Sequence, residues 1–361
     1  MTEIEKIAFA NAPEQEFIFR DAIDTPPFEL TGFPWRKPGA PLRRLPEPLI
    51  ADPGINSFAQ AAGRCASGGV LRFRTDSRTL AIRAALLPQT AVSSIARHEW
   101  MPRDATEGFD LFERTGEGLR FRRCVIPPPE ELSVGFTLPL LPPAQTEKTP
   151  RLREWMIYLP ITSEVTRLEI GLEPAALPQP PSPLSRRKPI VFYGSSITQG
   201  IGVSRPGNTY PARVCRALDA PLINLGFAAG CKGELAIADA ISKIDTDLFV
   251  LDYDHNADDL EHLAATHGPF FRRVRELRPD LAILVMSRGD SPDPAWTEVI
   301  RSTVDEARAR GDRNVWFLDG AEHFADWDDP LEGTVDGVHP TDLGFWAMSR
   351  RVLTEIRGIL A

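Results

Sequence analysis

The sequence predicts a β-sandwich or jelly roll followed by a three-layer α/β/α domain on a five-stranded parallel sheet. Three observations carry this. Between about residues 69 and 172, short stretches alternate apolar and polar residues and are separated by polar turns. After Lys188, apolar runs alternate with helical patterns, as βαβ units do. Between the two lies the Pro-rich stretch 173–183, which reads as a semi-rigid linker or strap. The expected domains are therefore 1–180 and 181–361.

Residues 1 to about 50 are mixed in character and rich in proline toward their end, at Pro34, Pro38, Pro41, Pro46 and Pro48. They read as a segment with little regular structure. Val70–Thr75 and Thr79–Ala84 each alternate apolar and polar residues, the mark of a half-buried strand. Gly108–Arg114 and Leu119–Cys124 face each other across a turn with Gly116 and Gly118. Strands are also expected over 133–141, 154–159 and 166–172. No helical period interrupts them.

In the second half, apolar runs lie at 190–193, 221–225, 248–251, 281–286 and 315–318. Each is short enough for a buried strand. Apolar residues recur at helical spacing between them: Tyr210, Val214 and Leu218; Leu235, Ala238 and Ile241; Phe270, Phe271, Val274 and Leu277; Trp296, Val299, Ile300 and Val304. Phe345, Met348, Val352 and Ile356 mark the last helix. Right-handed crossovers then give a parallel sheet covered on both faces.

Bulk properties narrow the function. The chain has 361 residues, 42% of them apolar and 25% charged, with a net charge of −9. These are the proportions of a water-soluble globular protein. A negative charge without a dense basic run argues against nucleic acid or an anionic membrane as partner. Cys65, Cys124, Cys215 and Cys231 show neither paired nor zinc-like spacing. No basic segment leads into an apolar run at Met1–Lys6, and no apolar stretch is long enough to cross a membrane. A cytoplasmic protein with free thiols and no cofactor is expected.

The chemistry gathers at the ends of the predicted parallel strands, where open α/β sheets place their ligands. Ile190-Val191-Phe192-Tyr193 runs into Gly194-Ser195-Ser196. Ser196 there is a candidate nucleophile, and a hydroxyl needs a base to become one. His339 in Asp336-Gly337-Val338-His339-Pro340 is the candidate base, since imidazole titrates near neutral pH. Asp336, three residues before it, can orient the ring. An oxyanion needs donors. The N–H of Ser196 is one, and the stretch Asn224–Gly230 can supply another. The Asn256 amide, beyond the third strand, can supply a third.

These blocks resemble those of the SGNH (GDSL-type) hydrolases, a flavodoxin-like esterase superfamily. Gly194-Ser195-Ser196 resembles its Gly-Asp-Ser, with Ser195 in the Asp position. Asp254-His255-Asn256-Ala257 keeps the Asn, and Asp336–Pro340 is intact. By spacing, the family's oxyanion Gly falls on Ala229, with Gly230 beside it. Gly108-Phe109-Asp110-Leu111-Phe112 resembles the Gly-x-Asp-Leu-Tyr stretch of a β-domain fused to one branch of these hydrolases. The resemblance implies Ser196, His339 and Asp336 as a triad. It implies Ser196, Ala229 or Gly230, and Asn256 as oxyanion donors. The implied substrate is a small acyl ester, acetyl by preference, on a small molecule or carbohydrate.

Competing readings attach to the same residues. Ser195-Ser196 suits a helix N-cap, and Asn256 suits a cap near Asp258. Asp252, Asp254, His255, Asp258, Asp259, His262 and His267 have metal-ligating side chains, yet acidic residues also gather at helix starts. Arg205 and Lys232 read as solvated charge, Trp155 and Tyr158 as sandwich core, and Asp110 as a turn or strand-edge carboxylate. A glycan-binding protein with an idle hydrolase half, an acyltransferase and a metal-dependent hydrolase are the alternatives to a serine esterase.

Overall fold

The computed structural model describes residues 16–89, 101–128, 131, 136–139, 149–289 and 293–361. Among the described residues, the N-terminal half holds nine strands: β1 (Ile18–Asp21), β2 (Glu29–Thr31), β3 (Val70–Thr75), β4 (Leu80–Pro88), β5 (Phe109–Thr115), β6 (Gly118–Val125), β7 (Phe136–Pro139), β8 (Arg153–Tyr158) and β9 (Ser163–Leu172). They form two antiparallel sheets, ordered β1-β9-β4-β7 and β2-β3-β8-β5-β6. Side chains from both sheets fill one apolar core, with Leu71, Phe73, Ile82, Leu111, Trp155 and Ile157 fully buried. The predicted strand over 133–141 is seen as Phe136–Pro139 paired with β4. Positions 133–135, 140 and 141 lie outside the described residues.

The amino-terminal segment is more regular than expected. It supplies an edge strand to each sheet, β1 against β9 and β2 against β3. Its four-residue helix α1 (Glu47–Ile50) begins with Pro48 in the first turn. Strands of three and four residues are too short to show a period in sequence. Two further short helices, α2 (Ser57–Ala62) and α3 (Arg103–Thr106), interrupt the strand sequence. The Pro-rich stretch is a strap. Gln179 bridges to Arg74, whose Nε donates to Pro180 O at 2.7 Å.

The C-terminal half has a parallel sheet of β10 (Ile190–Gly194), β11 (Leu222–Gly226), β12 (Leu248–Asp252), β13 (Ala282–Met286) and β14 (Val315–Leu318). Its order β11-β10-β12-β13-β14 is 2-1-3-4-5 in chain order, the flavodoxin-like arrangement. Helices α4 (Ser196–Gln199), α5 (Tyr210–Ala217), α6 (Leu235–Ile241), α7 (Leu260–Leu277), α8 (Pro294–Ala309) and α9 (Asp342–Ile359) complete it. Most of the predicted apolar helix positions are buried. Leu235 and Leu277 are exposed because they are the terminal residues of α6 and α7.

The two halves share a core. On β8, Trp155 and Ile157 point into the sandwich, while Met156 and Tyr158 pack with the parallel-sheet residues. Tyr158 is thus an interface residue rather than sandwich core. Its ring lies edge-on to Phe112 at 5.5 Å and its hydroxyl accepts a bond from Arg216. The alternation read as apolar-in and polar-out is here a sheet buried on both faces.

Candidate active site

Strand β10 is an internal strand of the sheet and wholly buried, so its carboxyl end is fixed by β11 and β12 on either side. Gly194 lies level with Gly226 and Asp252 in that register. The strand ends that carry the three candidate blocks therefore sit side by side. Ser195 has extended backbone and caps α4, its Oγ accepting from Ile197 N at 3.2 Å. Its own N–H donates to Asp252 O at 3.2 Å. The capping role expected for this Ser pair thus falls to Ser195. Ser196 is the first residue of α4, with its hydroxyl turned to the histidine: Ser196 Oγ lies 2.8 Å from His339 Nε2.

The histidine comes from a loop held by its own backbone. Val335 N donates to His339 O at 2.8 Å, and Thr341 N to Gly333 O at 2.7 Å. Within it, Asp336 Oδ2 lies 2.8 Å from His339 Nδ1. Asp336 Oδ1 accepts from Val338 N and His339 N. Partial burial works to raise the Asp336 carboxyl. The hydrogen bonds from the His339 backbone and ring, with the charge of that ring, outweigh it and hold the acid below its usual range. An ionised Asp336 bonded to Nδ1–H leaves Nε2 as the acceptor facing Ser196. Opposite the ring, Gly202 has φ +99°, and a Cβ there would lie 2.4 Å from Pro340 O and 3.3 Å from His339 Cβ. Only glycine fits this approach.

The donor side is formed by the turn after β11. Phe227 N donates to Gly194 O at 2.9 Å, Ala228 N to Gln199 Oε1 at 2.8 Å, and Gly230 N to Phe227 O at 2.8 Å. Among the described residues, the N–H groups of Ala229 and Ser196 have no partner. Ala229 holds φ +55°, in the left-handed region that disfavours a side chain. Asn256 Nδ2 donates one hydrogen to Phe227 O at 2.9 Å, which ties the amide to the same turn and leaves its second hydrogen. Asn256 caps no helix; Asp259 caps α7. Lys232, expected to be solvated, donates to Asn256 O at 2.7 Å and pairs with Asp258.

The seven metal-type residues divide among separate hydrogen-bond sets. Asp258 takes Lys232 and His262, Asp259 caps α7, and His267 bonds Thr303 Oγ1 at 2.8 Å. Asp252, Asp254 and His255 keep ligand atoms within 4.8 Å of one another. Asp252 Oδ2 already accepts from Thr198 Oγ1 and Tyr210 OH, and Asp254 from His255 N and Arg288 N. Burial, then the neighbouring Asp254, pushes the Asp252 carboxyl up to about 6.

Two readings change, one in each half of the chain. Asp110 is not at a strand edge or turn. It lies fully buried on β5, between β8 and β6, and accepts from Arg205 Nη1 at 2.7 Å and Gly207 N at 2.8 Å. Arg205 stacks over the Phe121 ring at 3.9 Å. Neither contact had a signal in the sequence, because the pair is 95 residues apart.

Comparison with known proteins agrees with this architecture. Residues 187–357 match the GDSL-like lipase/acylhydrolase family, and residues 18–177 match the N-terminus of SGNH-hydro-type esterases. No curated protein matches the sequence significantly. Among solved structures, a Bacteroides ovatus protein described as a GDSL-like lipase is similar with 26% identity and a TM-score of 0.81, over 96% of this chain and 98% of that one. A salicylyl-acyltransferase from a tetracycline biosynthetic pathway has 21% identity and a TM-score of 0.77, over 96% and 98%. An acetyl xylan esterase from the rumen bacterium Butyrivibrio proteoclasticus has 12% identity and a TM-score of 0.60, over 95% and 98%. Among the described residues, no helix is long and apolar enough to cross a membrane.

Proposed function

The chain belongs to the GDSL-like lipase/acylhydrolase family, with the N-terminus of SGNH-hydro-type esterases, and from that membership we propose that it is a serine esterase removing short acyl groups, acetyl foremost, from carbohydrate or small-molecule esters. One observation carries the reading: the unbroken chain Ser196 Oγ–His339 Nε2 and His339 Nδ1–Asp336 Oδ2, each link 2.8 Å. Ser196 Oγ attacks the ester carbonyl while its proton passes to His339 Nε2. Asp336 holds the ring and stabilises the imidazolium. The oxyanion is received by the N–H groups of Ser196 and Ala229 and by Asn256 Nδ2. Gly230 is the weaker candidate, since its N–H is spent on Phe227 O. The alcohol leaves with the proton from His339. Water then attacks the acyl-enzyme, giving its proton to His339, and the acid departs as Ser196 recovers its proton.

The acyl and sugar preferences draw support from the carbohydrate esterases of similar fold, among them the acetyl xylan esterase. The similar fold of a salicylyl-acyltransferase favours one second reading, transfer to a hydroxyl other than water. The test is hydrolysis of p-nitrophenyl acetate by the wild type, Ser196→Ala and Ser195→Ala, with and without chelator. Ser196→Ala is expected to lose about 10³-fold or more in turnover, with Ser195→Ala keeping most of it and chelator changing nothing. Wild-type turnover in Ser196→Ala refutes the mechanism. Faster hydrolysis of octanoate than of acetate refutes the acyl preference. An acylated product on an added sugar establishes transfer.

A further inference from the structure

The residue that stands out in the rest of the molecule is Arg44, in the amino-terminal segment with no motif. It is fully buried. Among the described residues no carboxylate pairs with it. Burial lowers its pKa to about 10, so it stays charged at neutral pH. An unpaired buried cation is expensive unless every donor finds an acceptor. Here four of its five N–H donors go to backbone carbonyls. Nε donates to Cys65 O at 2.9 Å, Nη2 to Ala62 O at 2.6 Å, and Nη1 to Asn224 O at 2.9 Å and Gly226 O at 2.7 Å.

The last two acceptors give the arrangement a purpose. β11 is an edge strand of the parallel sheet, and Asn224 and Gly226 are two apart. Their carbonyls point the same way, to the side where no further strand pairs. Arg44 stands in for that missing strand. The chain then turns at once into Phe227–Gly230, the turn that presents the unpaired N–H of Ala229 at φ +55°. A left-handed alanine persists only where its surroundings over-determine it. The same amino-terminal half supplies the rest of the frame. Ser67 Oγ donates to Gln199 O at 2.6 Å, and Gln199 Oε1 holds Ala228 N. The Ala59 backbone lies so close to Gly230 that a Cβ there would sit 2.4 Å from Ala59 N. The guanidinium also lies 5.1 Å from the centre of the Phe227 ring.

We propose that Arg44 is a positioning residue of the oxyanion hole: it fixes the end of β11 so that Ala229 N–H faces the reacting carbonyl, and the N-terminal half thereby completes the site. This rests on the oxyanion assignment under the proposed function. Lysine cannot replace the planar fork, which serves four carbonyls at once.

The test uses the full chain with Arg44→Lys and, as a milder change to the same frame, Ser67→Ala. Both are checked for folding by circular dichroism and melting. The readouts are kcat and KM for p-nitrophenyl acetate, and inhibition by phenylboronate, which adds to a serine hydroxyl as a tetrahedral anion. Displacing one oxyanion donor predicts a fall in kcat of about tenfold to a hundredfold for Arg44→Lys. KM should stay within about twofold, since ground-state binding does not use the hole. The phenylboronate Ki should rise with the fall in kcat. Ser67→Ala should show the same split at a few-fold. Folded variants with wild-type kcat and boronate affinity overturn the proposal. If Arg44→Lys does not fold, Ser67→Ala decides alone, and unchanged kcat and Ki overturn it. An inactive wild type overturns the esterase reading instead, so the two failures are distinct.

Discussion

Arg205 and Asp110 form an ion pair across the two halves of the chain, Nη1 to Oδ2 at 2.7 Å, with the carboxylate fully buried and the guanidinium partly exposed. The arginine belongs to the loop that carries Gly202 against His339, so a side chain of the sandwich fixes a loop of the candidate site. Asp110→Ala leaves Gly207 N and Arg205 without their acceptor. Breaking a buried pair costs several kcal/mol, and the partial exposure of Arg205 brings this to about 2 kcal/mol. Urea denaturation should show that loss. Asp110→Asn, which keeps an acceptor for Gly207 N, should lose less. Equal stability of Asp110→Ala and wild type would remove the pair from the interface's energetics.

Gly202→Ala should separate activity from stability. At φ +99° a side chain is strained by about 1 kcal/mol, and the new Cβ meets the fixed backbone at Pro340 O. The His339 loop has to give way, and its ring leaves the 2.8 Å contact with Ser196. Turnover of p-nitrophenyl acetate should fall at least about tenfold, because displacement of a base by an ångström is enough for that. Wild-type turnover would mean that the loop has another way to hold the ring.

Much of this was legible in the sequence, and the rest was hidden for identifiable reasons. The five parallel strands are contiguous apolar runs, and Ser196, Asp336 and His339 lie in short local motifs, so both were readable. Asp110–Arg205 and Arg44 were not, because each joins residues far apart in the chain and neither side has a periodic or motif signal. Arg44 bonds carbonyls 180 and 182 residues away. The residue at the family's glycine position was read by spacing as Ala229. The positive φ there and the pairing of Gly230 N needed coordinates.

Ala229→Gly should stabilise the protein and leave its activity in place. Alanine in the left-handed region costs about 1 kcal/mol, which glycine removes, though glycine's freer unfolded chain returns part of the gain. A net increase of a few tenths of a kcal/mol is expected. The N–H is a backbone group and survives the change. Melting temperature should rise slightly with kcat within about twofold. A large fall in kcat would mean that the alanine methyl, not the N–H, shapes the site.

Asp336→Asn tests the tautomer. The amide keeps the shape of the loop but can present its NH2 to His339 Nδ1, which favours a hydrogen on Nε2 and leaves no acceptor for the Ser196 proton. Turnover should drop by about 10³- to 10⁴-fold with stability little changed. A fall of less than tenfold would mean that the carboxylate is dispensable for orienting the ring.

Asp252 should leave a mark on stability against pH. Burial, then Asp254, raises its carboxyl to about 6, and burial raises Asp110 to about 6 as well. A carboxyl raised in the folded state holds its proton more tightly there than in the unfolded chain. Its stabilising share is therefore complete below the ordinary carboxylate range and is lost as pH rises through about 6. Asp336, Asp219 and Glu154 are held below their usual range and act oppositely, losing their share only as pH falls through their lowered values. In the window from about 4 to 6, Asp252 and Asp110 lose their share as pH rises, while His267 and His323, held by burial down to about 4, gain theirs. Asp252→Asn removes one titration and still offers an acceptor to Thr198 and Tyr210. Its melting temperature should match wild type near pH 4 and exceed it near pH 7, by an amount equivalent to about 3 kcal/mol at most. The Ser195 N–H bond uses the backbone carbonyl and is untouched. The same pH slope in both proteins would mean that Asp252 ionises in the folded state as it does in the unfolded chain.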